Sequence, residues 1–349
     1  MKIVVLCGGL SPERDVSISS GTRIAKTLKQ NGHQIVLVDM YFGLENWQGS
    51  LDDIFDNPPP LNDMLISEQE PDLEEIRSLR RIDTGSDFGD RVIEVCQMAD
   101  IVFMGLHGQC GEDGKVQAAF DLLGIRYTGS GFLGSAVAMD KDMTKQIIAQ
   151  HQIRTAAWKT YSCRKVTAET VLRDLTLPLV VKPDNSGSSI GVSIVHSEDD
   201  LKQALKTVAR DSDYVVIEQY IKGREIQVGI LDGKALPSIE IIPKDSFYDY
   251  KNKYQAGAAT EITPAPIPAE AEERVGRISE KVFHLLRLDV YSRADFIYDE
   301  NGEFWFLEIN TLPGMTPTSL VPQEAAAAGY SYGDLCEKII EVSMRKYNQ

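Results

Sequence analysis

The sequence predicts an α/β protein in which a parallel-sheet domain is followed by two smaller α+β units. Three observations lead to this fold class. The chain has 349 residues, more than one ordinary hydrophobic core organises. Its first forty residues read as strand, glycine-rich turn, helix and strand, the opening of a parallel α/β domain. Later in the chain, short apolar strands separated by tight turns and amphipathic helices indicate compact α+β units.

Composition and charge restrict the function classes. A hydrophobic content of 43% with 25% charged residues is typical of a soluble globular protein, and no apolar run approaches the roughly 18–20 residues that cross a bilayer. The N-terminus reads as a first strand rather than a signal peptide. Five scattered cysteines without a CxxC pair favour reduced thiols and a cytoplasmic location. A net charge of −16 with no basic cluster argues against nucleic-acid binding.

The first domain is predicted to span residues 1–129. Its strands are IVVLC, QIVLVDM and IVFM, with helices between them, and Gly124 ends the helix VQAAFDLLG. Residues 52–90 interrupt the pattern with twelve Asp or Glu against three Arg. Such a segment is expected to be a solvated surface insertion.

The second and third units are predicted to span residues 130–217 and 218–349. The second opens with a single helix, SGFLGSAVAMDKDMTKQIIAQHQI, and continues with the strands LPLVVKP and GVSIVHS and a covering helix. The third holds most of the remaining strands. Between residues 243 and 264 no element is evident, and loops of that length in compact domains are usually functional lids or disordered.

The stretch LVVKPDNSGSSIGV places one lysine, Lys182, directly before a loop of small and polar residues. Glycines and serines let backbone N–H groups approach an anion, and the lysine adds charge beside them, which suggests a phosphate. The order differs from a P-loop, in which the lysine follows the glycines. The alternative is an ordinary hairpin turn, since Ser, Gly and Asn cluster in turns as well.

A second candidate site lies in the last two predicted strands. Glu308 and Asn310 alternate onto the same face of one strand, and Asp295 lies on the preceding strand of the same hairpin. Two carboxylates and an amide oxygen form a hard-oxygen set that suits Mg²⁺ shared with phosphates. The alternative is that these are solvated strand residues, which is at odds with the aromatic and aliphatic neighbours of Glu308.

Three further residues stand out individually. Glu218 ends a strand where an edge backbone could pair with an adenine, and Glu225 follows seven residues later. His107 lies in the glycine loop GLHGQCGEDG after a strand, where α/β domains usually bind ligands. Each glutamate is weak evidence by itself. A lone histidine is more often structural, but the glycine loop is expected to expose this one.

Six motifs in order make the sequence similar to a known family. They are LSPERDVSISSG, LHGQCGEDG, GSAVAMDKDMTK, VVKPDNSGSSIGV, FYDYKNKY and RADF…LEINTLPGMTPTSLVP. Together they resemble the D-alanine–D-alanine ligases of the ATP-grasp superfamily, from residue 3 to about residue 341. The resemblance weakens only across the acidic insertion. It implies a Rossmann-like first domain followed by two α+β domains that clamp ATP.

The resemblance also implies roles for individual residues. The loop 184–191 would fold over the triphosphate of ATP, with Lys141 and Lys182 on the phosphates. Asp295, Glu308 and Asn310 match the ligands of two Mg²⁺ (or Mn²⁺) ions. The remaining nucleotide contacts would be Ser189, Glu218, Tyr220, Ile221, Glu225 and Lys253.

Substrate residues follow in the same way. Glu13 would hold the ammonium of the first D-alanine, with Ser188, Tyr254 and His107 beside it. Arg293 and the N–H of Gly314 would form the oxyanion site, and Ser319 with Leu320 would grip the carboxylate of the second substrate. The family forms D-alanyl-D-alanine for peptidoglycan through an acyl phosphate, and its members are usually homodimers. Alternatives are D-lactate or D-serine as the second substrate, which Tyr254 disfavours, and a catalytically silent nucleotide-binding protein.

Overall fold

The computed structural model describes residues 1–61, 71–184, 187, 191–210, 212–243, 259–316 and 318–348. Within these ranges it contains three β-sheets, of three, four and six strands. The first sheet is parallel and the other two are antiparallel, as the predicted fold class requires. No helix in the described part of the chain is long and apolar enough to span a membrane.

The parallel sheet forms the centre of the first domain, in the order β2-β1-β3. Residues 3–7 of β1 are all buried, because the strand is covered on both faces. This explains why its sequence is a continuous apolar run rather than an alternating one. The C-terminal helix α11 returns to this domain and packs on α1, contributing Leu335 and Ile339 to the same core. The elements of this layer are β1 (Lys2–Cys7), α1 (Arg14–Gln30), β2 (Gln34–Asp39), β3 (Ile101–Met104) and α11 (Tyr332–Lys346).

The acidic insertion is only partly a solvated segment. Its helix α2 (Leu73–Leu79) has no buried residue, as expected of a charged surface element. The expectation is wrong at its two ends: Ile54 and Phe55 are buried in the first core, and the ring of Phe88 stacks on that of Phe120, with centroids 5.9 Å apart. The apolar residues among the acidic ones therefore anchor the insertion to the domain.

Four further helices complete the first domain and lead out of it. α3 (Val92–Gln97) and α4 (Lys115–Leu123) lie where the periodicity predicts them, and Gly124 ends α4 with φ +66°. The single long helix predicted after residue 130 is instead two, α5 (Phe132–Met139) and α6 (Lys141–Gln150). Asp140 separates them, because its extended backbone ends α5 while its side chain accepts the N–H of Met143 and caps α6.

The central unit is a four-stranded antiparallel sheet in the order β4-β7-β5-β6. Helices α7 (Ala168–Asp174) and α8 (Glu198–Val208) cover one face, burying Val171, Leu201 and Leu205. The predicted boundary between residues 217 and 218 falls inside β7, which is an interior strand of this sheet and not an edge strand. Its strands are β4 (Trp158–Ser162), β5 (Leu179–Pro183), β6 (Ser193–Val195) and β7 (Tyr214–Gln219).

The last unit is a six-stranded antiparallel sheet in the order β11-β10-β8-β12-β13, with β9 paired to β8. Helix α9 (Ala269–Leu285) buries one face, where Val228 and Phe296 meet Val282. Because side chains alternate along a strand, the polar residues of β8, β12 and β13 share the other face. The strands are β8 (Gly223–Leu231), β9 (Lys234–Ala235), β10 (Ile239–Pro243), β11 (Ala259–Ile262), β12 (Tyr291–Asp299) and β13 (Phe304–Asn310). A short helix, α10 (Leu320–Ala327), follows β13.

Candidate active site

A cavity of about 380 Å³ lies between the central sheet and the polar face of the six-stranded sheet. Val180 and Ile194 line one wall and Ile241 and Leu307 the other, which makes an apolar slot with polar groups at its rim. Such a slot is typical of sites for flat organic ligands. Eight residues predicted for nucleotide or metal line it: Lys141, Lys182, Glu218, Tyr220, Ile221, Glu225, Asp295 and Glu308.

A buried ion cluster lies at one end of the cavity. The Lys182 Nζ donates to Glu218 Oε1 at 2.6 Å, and the Nζ of Lys145 lies 2.7 Å from Glu218 Oε2. Burial by itself would raise the pKa of Glu218, but the two ammonium groups lower it to about 2. The carboxylate is thus ionised and bridges two lysines. Lys145 is spaced four residues from Lys141, which places both lysines on one face of α6. This spacing is the signal in the sequence that could have indicated a role for Lys145.

The expectation of an edge backbone near Glu218 is wrong. β7 has β4 on one side and β5 on the other, and the N–H of Tyr220, just after β7, donates to the carbonyl of Pro178 at 3.1 Å. That N–H is therefore engaged within the sheet. Tyr220 and Ile221 nevertheless line the cavity.

The three residues predicted for metal converge. Asp295 and Glu308 are direct partners across β12 and β13, with a bulge after Asp295, and Asn310 Nδ2 donates to Asp295 Oδ2 at 3.3 Å. Arg293 donates to both oxygens of Asp295 at 2.8 Å, and Lys141 Nζ lies 3.5 Å from Glu308 Oε2. The described residues contain no cluster of three or more His, Cys, Asp or Glu arranged for a metal ion. This set has two carboxylates and an amide, a donor set that fits a hard cation.

His107 is buried, so the expectation that its glycine loop exposes it is wrong. The residue is fixed between the first domain and the loop after β13. Its Nδ1 donates to the carbonyl of Leu312 at 2.8 Å. Its Nε2 therefore accepts a hydrogen bond from the hydroxyl of Ser20, whose Oγ lies 2.9 Å away. Ser20 Oγ in turn accepts the N–H of Met315 at 3.2 Å. Burial lowers the pKa of His107, which favours the neutral imidazole that these contacts require. No sequence signal pointed to Ser20.

Two glutamates lie beside this histidine. Glu112 accepts the N–H of Gly108 at 2.9 Å and that of Leu312 at 3.0 Å, and burial, with Glu13 nearby, raises the pKa of Glu112 to about 8. Glu13 is buried at the start of α1. A Cβ on Gly187 would lie 3.0 Å from Glu13 Oε2, so Gly187 lies close to Glu13 across the domain boundary.

The segment before α10 forms the remaining edge. Ser319 Oγ accepts the N–H of Thr316 at 2.9 Å, and a Cβ on Gly314 would lie 2.6 Å from that oxygen. A side chain at 314 would therefore require Ser319 to move. Leu320 begins α10 and is buried.

Four predicted site residues, Ser188, Ser189, Lys253 and Tyr254, lie outside the described residues. β5 and β6 pair as an antiparallel hairpin, from Leu179 opposite Val195 to Val181 opposite Ser193. The stretch after Lys182 thus does connect a hairpin, and Lys182 at its base lines the cavity. The hairpin is confirmed, and a phosphate role for the stretch stays a prediction.

Comparison with known proteins agrees with this architecture. Residues 2–130 match the profile described as the D-ala D-ala ligase N-terminus, and residues 142–341 the one described as its C-terminus. A D-alanine–D-alanine ligase from Pediococcus pentosaceus is 41% identical, covering 100% of this chain and 99% of the relative.

Solved structures are similar along the whole chain. The ATP complex of the D-alanine–D-alanine ligase from Bacillus anthracis has a TM-score of 0.76 at 33% identity, covering 100% of this chain and 99% of that one. A D-Ala:D-Ser ligase from Enterococcus faecalis has a TM-score of 0.75 at 27% identity, covering 98% and 99%. Matched by both profiles and aligned along its full length with these relatives, the chain belongs to the D-alanine–D-alanine ligase family.

Proposed function

We propose that this enzyme joins two D-alanines to D-alanyl-D-alanine at the expense of ATP, for peptidoglycan precursors. The observation that carries the proposal is the arrangement around one cavity. Lys141 and Lys182 lie beside it with Asp295 and Glu308, and the cavity opens between two sheets. Cations beside a hard-oxygen donor set suit the triphosphate of ATP, and the apolar slot suits its adenine base.

In the first step, the carboxylate of one D-alanine attacks the γ-phosphorus of ATP, and ADP leaves as an acyl phosphate forms. Glu13, buried beside Gly187, would hold the ammonium of this substrate. Lys141 and Lys182 would neutralise charge that grows on the phosphates toward the transition state. The Asp295, Glu308 and Asn310 set would hold Mg²⁺ or Mn²⁺, which supplies Lewis-acid stabilisation of phosphate charge when bound.

In the second step, the amine of the other D-alanine, having lost a proton, attacks the acyl carbonyl, and phosphate leaves from the tetrahedral intermediate. Arg293 and the N–H of Gly314 would stabilise its oxyanion. Ser319 and Leu320 would position the carboxylate of the incoming amino acid. The neutral His107 adds no positive charge near the attacking amine.

We also infer a homodimer in the cytoplasm. Four large apolar side chains on α4 and at the start of α5 are exposed: Leu122 at 90%, Leu123 at 44%, Phe132 at 51% and Leu133 at 46%. Large exposed apolar side chains on two neighbouring helices favour a protein partner. The five cysteines are all free thiols, in keeping with a reducing compartment.

The test is ADP release in the presence of ATP and D-alanine, with the product identified by mass. We expect ADP and D-alanyl-D-alanine in equal amounts. Lys182→Ala should raise the KM for ATP and lower kcat, whereas Lys206→Ala, an exposed lysine on α8, should leave both unchanged. ADP release that does not depend on D-alanine would contradict the proposal.

A further inference from the structure

Lys145 is a fully buried lysine that takes no part in the proposed chemistry. Its Nζ lies 2.7 Å from Glu218 Oε2, donates to Thr155 Oγ1 at 2.5 Å, and lies 5.2 Å from the centre of the Trp158 ring. Its side chain is 0% exposed. Lys141 and Lys182 line the cavity, whereas Lys145 lies behind Glu218.

The position of Lys145 is fixed from several directions. The hydroxyl of Thr155 accepts from Lys145 and donates to the carbonyl of Phe306 on β13 at 3.0 Å. Trp158, whose ring lies beside the ammonium, is the direct neighbour of Glu218 across β4 and β7 and donates to Asp142 at 2.7 Å. Lys145 therefore links α6, the central sheet and the six-stranded sheet at the wall of the cavity.

Glu218 forms ion pairs with two ammonium groups, and only one of the two lysines, Lys182, lines the cavity. Lys182 holds Oε1 from the cavity side, and Lys145 holds Oε2 from within the protein. Burial lowers the pKa of Lys145, and the negative charge of Glu218 limits the fall. The resulting pKa is about 8. Because that pKa lies above neutral pH, Lys145 remains largely charged there and pairs with the ionised Glu218.

We propose that Lys145 is a positioning residue for nucleotide binding: it neutralises Glu218 so that Lys182 can leave that carboxylate for a phosphate of ATP. The proposal rests on the phosphate role of Lys182 in the proposed function. It assigns to Lys145 an effect on a ligand that it does not touch.

The physical reason is the cost of an unpaired buried charge. If Lys182 were the only partner of Glu218, its movement to a phosphate would leave an isolated carboxylate in the protein interior. The phosphate would then compete with Glu218 for one ammonium. With Lys145 in place, Glu218 keeps an ion pair. The free-energy cost of moving Lys182 from Glu218 to a phosphate is therefore smaller.

The test compares how ADP and adenosine bind, since only ADP carries phosphates. Dissociation constants are measured by calorimetry, with adenosine added as a competitor of ADP, for wild type, Lys145→Met and Lys145→Gln. The Gln side chain still donates a hydrogen bond to Glu218 but carries no charge. We expect ADP to bind about tenfold more weakly to both variants and adenosine to bind unchanged.

A second-site change separates this mechanism from a purely structural role. In Lys145→Gln/Glu218→Gln no carboxylate remains to hold Lys182, so the ratio of adenosine to ADP dissociation constants should return toward the wild-type value. Lys159→Met, an exposed lysine on β4, is the matched control and should not alter the ratio.

Equal weakening of ADP and adenosine in the single variants, or a double variant that recovers nothing, would overturn the proposal. If Lys145→Met does not fold, Lys145→Gln and Lys145→Gln/Glu218→Gln are compared by the same ratio of dissociation constants. Failure of the wild type to bind ADP would instead contradict the proposed function.

Discussion

Arg293 donates to both carboxylate oxygens of Asp295, two residues along the same strand, at 2.8 Å each. Asn310 reaches Asp295 Oδ2 from β13 at 3.3 Å. Asp295 is 3% exposed, so an ionised carboxylate is stable there only with such partners. The residue predicted to bind metal and the arginine predicted to stabilise the oxyanion are thereby held in one fixed geometry.

Asp295→Asn and Glu308→Gln are each expected to abolish ligation at low Mg²⁺ and to raise the Mg²⁺ concentration for half-maximal rate at least tenfold. An amide keeps the shape but removes the charge that a hard cation needs. Turnover is followed as a function of Mg²⁺, and Mn²⁺ binding in the presence of ADP is measured directly by electron paramagnetic resonance.

Glu300→Gln is the matched control, because Glu300 is exposed in the turn that joins the same two strands. It should behave as wild type. Unchanged Mn²⁺ binding in Asp295→Asn and Glu308→Gln would remove both residues from the metal site.

Much of this geometry follows from the sequence, since strand alternation alone places Glu308 and Asn310 on one face and the hairpin brings Asp295 opposite. Contacts between distant segments do not follow in that way. Nothing local to Ser20 indicates a partner 295 residues away in Met315. The break at Asp140 was missed because apolar periodicity continues through it, and the signal that ends α5 is one capping side chain.

Phe55→Ala is expected to lower the free energy of unfolding by about 3–5 kcal/mol, because it empties a buried site in the first core. Leu79→Ala, in the same acidic insertion but 59% exposed, should change it by less than about 0.5 kcal/mol. Urea denaturation measures both. Equal changes in the free energy of unfolding would mean that the insertion is either solvated throughout or packed throughout. Either outcome would contradict the finding that its ends are buried and α2 is not.

Leu122→Glu is expected to convert a homodimer to a monomer, because it places a charge at the most exposed of the four apolar side chains on α4 and α5. Analytical ultracentrifugation of wild type and variant tests this. Lys206→Glu, an exposed position on α8 in the central unit, is the control for added negative charge. A monomeric wild type would exclude the proposed dimer, and a dimeric Leu122→Glu would place its interface elsewhere.

A buried glutamate outside the proposed site makes stability depend on pH. Glu324 Oε1 accepts the N–H of Gly229 at 2.8 Å, and burial raises the pKa of Glu324 from 4.5 to about 8. The pairing of β8 explains the contact: Gln227 pairs with Ile239 and Ile230 with Ala235, leaving Gly229 between the two ladders. Between these pKa values the folded state keeps a proton that the unfolded state has lost, so stability falls as the pH rises.

Glu324→Gln should remove this fall. The amide oxygen still accepts from Gly229, and no proton is lost. We expect equal stability of variant and wild type near pH 5 and an advantage of the variant on the order of 3 kcal/mol at pH 9. Urea denaturation between pH 5 and 9 measures the difference. Parallel curves for the two proteins would show that Glu324 does not titrate in this range.

The choice of second substrate is expected to depend on Tyr254, which lies outside the described residues. D-Alanine arrives as an ammonium that must lose a proton, while D-lactate offers a neutral hydroxyl. A neutral tyrosine does not repel the ammonium. A histidine at that position would be partly protonated near pH 6–7 and would disfavour the cation without affecting the hydroxy acid.

Wild type should therefore form D-alanyl-D-alanine with little depsipeptide at neutral pH. Tyr254→His should shift the products toward D-alanyl-D-lactate, most strongly below pH 7, because the imidazolium fraction grows as the pH falls. The measurement is a competition between equal concentrations of D-alanine and D-lactate from pH 6 to 9, with products separated and counted. Tyr254→Phe is the control, since it is neutral at every pH and should keep the wild-type preference. A product ratio in Tyr254→His that does not change with pH would eliminate charge repulsion as the basis of the choice.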